Sequence, residues 1–281
     1  MPSPSIPDFL FIGAPRAGST WLYRHLRRHP GIWMPPIKNL LYRHQGAWPN
    51  KLRTLRQIKD GLIPVKPSEL GFYAKFFLGS PNSACWYKSL FQGGRNATLR
   101  GDISDDLFVL TQSQIADYKA INPHLRVFAI LRDPIDRIFS HIKHNFVNNR
   151  GRDFTTVAPS EYHDLLTSDW ALDRSHYHRS LSNWLSVFGP DQVRLYDHAQ
   201  LHDNPLALLE DICAFIGAPF DPGLFQGAEK RVNASQDVEV PIDAVNALWP
   251  LLREDMQALP AIFPPAQDWL RRYEAAGRLP V

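Results

Sequence analysis

The chain has 281 residues, 31 lysines and arginines against 28 aspartates and glutamates, and 44% hydrophobic residues, an ordinary globular composition near the upper size for one core. A formal net charge of +3 is too small to imply a nucleic-acid partner, and two cysteines, Cys85 and Cys213, give neither a disulfide framework nor a metal spacing. The start, Met1 to Asp8, carries no basic segment and no apolar run of membrane-spanning length, so we expect no membrane span and a cytoplasmic protein, bacterial in style.

In chain order, the apolar run Phe9 to Ile12, bounded by Gly13, predicts a strand buried on both faces of a parallel sheet. Gly13, Pro15 and Gly18 punctuate a loop. Ser19 and Thr20 then open a helix in which Leu22 and Leu26 repeat at i, i+4 until His29-Pro30-Gly31. Such a junction aims unpaired backbone N–H groups and the positive end of a helix dipole at one point, which favours an anion, most often a phosphate. A nucleotide triphosphatase loop, G-x-x-x-x-G-K-[ST], would fit Gly13 and Gly18 but needs a lysine where Ser19 stands; the loop's only cation is Arg16.

Pro15 to Leu22 matches P-[KR]-x-G-[ST]-T-x-L at every defined position. It resembles the 5'-phosphosulfate loop of sulfotransferases, which bind 3'-phosphoadenosine 5'-phosphosulfate (PAPS). The resemblance implies that Arg16, the N–H groups of Ala17, Gly18, Ser19, Thr20 and Trp21, and the hydroxyls of Ser19 and Thr20 hold the phosphosulfate. Downstream, Pro36-Ile37-Lys38-Asn39-Leu40-Leu41-Tyr42 is similar to the family's P-x-K-E-x-x-[YF], whose glutamate acts on the acceptor as base; here the aligned residue is Asn39. An amide accepts no proton near neutral pH, so either another group does this work, or the acceptor needs little help, or the chain is a non-catalytic relative.

The stretch 43–95 is irregular and rich in aromatics, an expected acceptor-side insertion whose rings suit core packing. Thr98 to Phe108 resembles the family's G-[DE]-x-[ST]-P-x-[YF] turn, with Asp105 in place of the proline. Asp102, at the expected carboxyl end of a strand, is the leading substitute base, and His44 is the second candidate.

Val127 to Leu131 predicts another buried strand, Asp133 a helix cap and Pro134 a first turn, with Ile135, Ile138, Phe139, Ile142 and Phe146 on one apolar stripe. Arg132 and Ser140, in strand-R-[DN]-P-x-x-R-x-x-S, resemble the family's 3'-phosphate site. A planar guanidinium and a hydroxyl can together bind a phosphate monoester. Asp133 could instead be a magnesium-holding carboxylate of a kinase using ATP; Arg132 and the missing loop lysine argue against it.

Asn148 to Asp153 reads as a loop, and 148–176 as a second insertion. His141, His144, His176 and His178 have no partners at ligand spacing, so no metal is expected. Val193 to Tyr196 predicts a third buried strand, followed by Asn204 as cap, Pro205 and a terminating Gly217. Lys230, Arg231 and Asn233 fall where the family has a basic loop over the nucleotide. Pro241 to Val281 reads as two closing helices. The order of elements favours one α/β domain, and the resemblance implies a three-layer sandwich with a central parallel sheet, like that of P-loop NTPases. It also implies PAPS as cofactor and a carbohydrate or small-molecule acceptor.

Overall fold

The apolar run Phe9–Gly13 forms β1, every residue of it buried, and lies in the middle of a five-stranded sheet in the computed structural model, which describes residues 6–230 and 238–276. β1 is flanked by β3 (Leu99–Ile103) and β4 (Arg126–Leu131), with β2 (Ile32–Trp33) outside β3 and β5 (Val193–Asp197) outside β4. Every pairing is parallel, with Leu10 opposite Asp102 and Phe11 opposite Phe128. Complete burial of β1 requires cover on both faces, and helices supply it. This is the expected α/β class. The chain leaves β1 for β2 and β3 on one side, then crosses to β4 and β5 on the other. The strand order therefore reverses beside β1, where open α/β sheets hold their ligands.

Two helices matter for the site. α1 (Ser19–Leu26) follows β1 and buries Trp21, Leu22 and Leu26. α2 (Pro134–His144) follows β4; the Asp133 carboxylate caps it, accepting from the N–H groups of Ile135 (2.9 Å) and Asp136 (3.2 Å). Its stripe of Ile135, Ile138, Phe139 and Ile142, continued by Phe146, is buried as the periodicity predicts.

β5 departs from expectation. It is an edge strand with only Val193 and Tyr196 buried and Arg194 exposed, because helical cover thins at the sheet margin. Asn204 caps the helix Pro205–Ile216 and Gly217, at φ 81°, ends it. In the stretch 43–95, Tyr73, Phe76, Trp86, Tyr87 and Phe91 are buried among the core, whereas Trp48 is exposed. The helices Ile242–Ala258 and Ala266–Ala276 close the chain, the first packing on α2 and on the helix Tyr177–Phe188. Among the described residues no helix is long and apolar enough to cross a membrane.

Candidate active site

The loop after β1 is shaped by close approach. A Cβ on Gly18, at φ 94°, would lie 2.4 Å from Leu201 Cδ1, and one on Gly13 would lie 2.9 Å from the carbonyl oxygen of Asp105. α1 starts without a side-chain cap, and Leu22 is the first residue to bond back, to the Gly18 carbonyl at 3.0 Å. The N–H groups of Ser19, Thr20 and Trp21 are left for an anion. Ala17 differs from expectation: its N–H donates to the Ala14 carbonyl (3.2 Å) within the turn, and the residue is fully buried. The Trp21 indole donates to the Ala228 carbonyl at 2.8 Å, which leaves its backbone N–H as the group able to meet an anion.

Both predicted phosphate elements open on one cavity of about 1050 Å³. Arg16, Gly18, Ser19, Thr20 and Trp21 line it from the first element, Arg132 and Ser140 from the second. Its wall carries six arginines and two lysines against two carboxylates, Asp105 and Asp106. Arg16 sits at φ 68° with its Nε buried and unpartnered; burial holds its pKa below the ordinary value, Asp105 opposes this, and Arg132 adds to it. Because Asp133 already closes the N-terminus of α2, this half of the cavity relies on side chains. His141 and His198 are both pushed down to about 3, chiefly by burial and then by Arg137 and Arg132 respectively, so they are neutral at physiological pH.

Two residues that sequence reasoning gave no role complete the site. Lys38 Nζ donates to Ser19 Oγ and Thr20 Oγ1, both at 2.9 Å, and lies 3.9 Å from Asp105 Oδ2. The Ser19 hydroxyl donates to that same Asp105 oxygen. Lys38 thus supplies, from another segment, the ammonium that the loop lacks. The signals were present: Lys38 is the lysine of the P-x-K element, and Asp105 is the carboxylate standing where the pattern has proline.

The two candidate bases are not brought to this cavity. Asp102 is 1% exposed and does not line it; its oxygens accept from Tyr87 Oη and Ser104 Oγ, each at 2.7 Å. Its pKa is raised to about 6 by burial, the mark of a sealed carboxylate here, since no acceptor can reach it. His44 faces an adjoining chamber of about 580 Å³ that shares Asn50, Arg53, Asp106 and Trp170 with the main cavity. Its Nδ1 accepts the Gly46 N–H at 2.9 Å, so the neutral ring carries its proton on Nε2 and has no free lone pair with which to act as a base. Lys230 is exposed and lines neither cavity. Arg231 and Asn233 lie outside the described residues.

The fold is a parallel α/β sheet with a predominantly basic cavity at its switch point, a site suited to anionic ligands. The sequence model of the sulfotransferase family matches residues 7–222, and the chain belongs to that family. Among known relatives, human carbohydrate sulfotransferase 15 is 25% identical over 237 residues, 69% of this chain and 41% of that protein. Mouse bifunctional heparan sulfate N-deacetylase/N-sulfotransferase 4 is 25% identical over 75% of this chain and 22% of its own length. The chain thus spans less than half the length of the curated relatives it matches. In fold it is similar to a sulfotransferase from Alicyclobacillus acidocaldarius, with TM-score 0.61 and 21% identity over 91% of this chain and 95% of that one. Sulfotransferase STF9 from Mycobacterium avium gives 0.54 and 15% over 91% and 77%.

Proposed function

We propose that the chain transfers a sulfuryl group from PAPS to a hydroxyl or amine of a carbohydrate or other small acceptor. The observation that carries this reading is the single cavity in which eight basic side chains outnumber two carboxylates, at the carboxyl ends of the neighbouring strands β1 and β4. The residues present suit a nucleotide with anions at two places. Arg16 keeps a buried, unpartnered Nε, and Gly18 leaves a cradle that a Cβ would fill.

PAPS supplies a sulfuryl group whose leaving group is adenosine 3',5'-bisphosphate. Arg16, Lys38 and the N–H groups opening α1 hold the 5' end and offset charge on the departing oxygen. Arg132 and Ser140 grip the 3'-phosphate. Positioning and charge stabilisation suffice for such a loose transfer, as they do for phosphoryl groups. The chamber beside His44 and Trp170 is the route we assign to the acceptor, because it joins the main cavity at Asp106, next to Asp105. The relatives' names, carbohydrate sulfotransferase and heparan sulfate N-sulfotransferase, support a carbohydrate oxygen or nitrogen as the acceptor class.

Calorimetric titration tests the reading. Adenosine 3',5'-bisphosphate binds without magnesium and much more tightly than ADP with magnesium; preference for ADP with magnesium would make the chain a kinase.

A further inference from the structure

Two of the positions at which the chain departs from the sulfotransferase pattern lie 66 residues apart in sequence, Asn39 for glutamate and Asp105 for proline, and these two residues are hydrogen-bonded to each other. Asn39 Oδ1 accepts the Asp105 N–H at 3.1 Å, a bond that a proline at 105, lacking an N–H, could not make. Two further bonds fix the same junction: the Asn39 N–H to the Ile103 carbonyl (2.8 Å) and the Leu40 N–H to Ser104 Oγ (3.0 Å). Asn39 itself sits at φ 64°, a left-handed conformation that asparagine adopts more readily than glutamate. Position 39 is therefore built as a clamp.

What it clamps is a carboxylate. Of the two acids on the cavity wall, Asp106 is held by Arg174 Nε at 2.8 Å, while Asp105 lies beside Ser19 and Lys38, where the phosphosulfate is proposed to bind. We propose that Asp105 is the general base of this enzyme, the family's carboxylate having moved across one hydrogen bond from position 39 to position 105, with Asn39 as its positioning residue.

The proposal rests on the PAPS reading above. Asp105 takes the proton from the acceptor O–H or N–H as that oxygen or nitrogen bonds to sulfur. The sulfur–oxygen bond to the 5'-phosphate breaks, its electron pair stays on the phosphate oxygen, and the proton passes from Asp105 to solvent.

The test combines transfer of labelled sulfuryl from PAPS to methyl glucoside, glucosamine, 4-nitrophenol and water with calorimetry of adenosine 3',5'-bisphosphate. Asp105→Asn loses about a hundred- to ten-thousandfold in turnover with the sugars. It loses far less with 4-nitrophenol, which is already partly ionised at neutral pH and needs less help from a base, and its bisphosphate affinity does not fall. Asp105→Glu recovers at least about tenfold over Asp105→Asn, since a carboxylate is again present. Equal losses for sugar and nitrophenol, unchanged turnover, or a parallel fall in bisphosphate affinity overturns the assignment, because each is what a merely structural or nucleotide-holding role gives. A parent chain that binds the bisphosphate but transfers to none of the four acceptors overturns it as well. One that does not bind the bisphosphate defeats the PAPS reading itself.

Discussion

Replacing Arg132 with alanine isolates the proposed 3'-phosphate half of the site. Among the described residues the Arg132 guanidinium has no hydrogen bond or ion pair, and it helps lower the pKa of Arg16, Arg137 and His198. Removing it strands no carboxylate, so the change falls on the ligand. One or two charge-assisted hydrogen bonds to a phosphate are worth about 2–3 kcal/mol together, or roughly 30- to 150-fold in affinity. Four titrations measure this, parent and Arg132→Ala each with adenosine 3',5'-bisphosphate and with adenosine 5'-monophosphate. The bisphosphate weakens by that factor. The monophosphate, which has no group for Arg132 to hold, changes less than about threefold, so the variant ceases to discriminate between the two. Equal weakening of both nucleotides would place Arg132 at general electrostatics, and no weakening of either would remove it from the site.

Gly18→Ala puts a Cβ 2.4 Å from Leu201 Cδ1 at a backbone φ of 94°; it should cost about 1–2 kcal/mol in thermal unfolding and weaken bisphosphate binding at least tenfold as the loop shifts. Arg137 is fully buried, its Nε donating to Ser175 Oγ (2.9 Å) and its NH2 to the Ala171 carbonyl (2.6 Å), so Arg137→Ala should lose about 3 kcal/mol or more in denaturant titration. Asp102 gives a pH signature. Its folded pKa of about 6 exceeds the usual 3.8, so the folded state holds the extra proton between these values; the stability is fully present below about pH 4 and lost as pH rises through about 6. The unfolding free energy of the parent relative to Asp102→Asn should therefore fall by about 2 kcal/mol from pH 4 to pH 7, and a flat difference would refute the sealed-carboxylate assignment.

The strands β1 and β4 were legible because they are short apolar runs with turn residues at their ends, and the helices because caps and stripes agree. Asp133 with Pro134, and Asn204 with Gly217, mark helix ends that the structure reproduces. The wall of the cavity was less legible. Asp102, Asp105 and Asp106 lie within five residues, and nothing in their spacing tells which one clears the sheet. The register decides: Asp102 pairs with Leu10 inside the sheet, whereas Asp105 lies beyond the last paired residue, Ile103. His44 was misplaced for a related reason. Asn39, Leu41 and Arg43 all take positive φ, at 64°, 57° and 63°, and turn the chain toward the adjoining chamber. No hydrophobic pattern announces three left-handed residues in a stretch of five.

The position of Lys38 links the two halves of the proposed reaction. In a nucleotide triphosphatase loop the lysine belongs to the loop itself, so the phosphate grip is complete within one strand-turn-helix unit. Here that slot is Ser19, and the ammonium arrives from the segment after β2, meeting the hydroxyls of Ser19 and Thr20 at 2.9 Å. The next residue in that segment is Asn39, which holds Asp105. One short stretch thus carries a cation for the donor and a clamp for the carboxylate, stitched to the end of β3 through Ile103, Ser104 and Asp105. A shift of this stretch would move Lys38 away from Ser19 and Asp105 out of line together. On the proposed mechanism the donor grip and the proton acceptor are therefore set by one stretch, Lys38 directly and Asp105 through its hydrogen bond to Asn39.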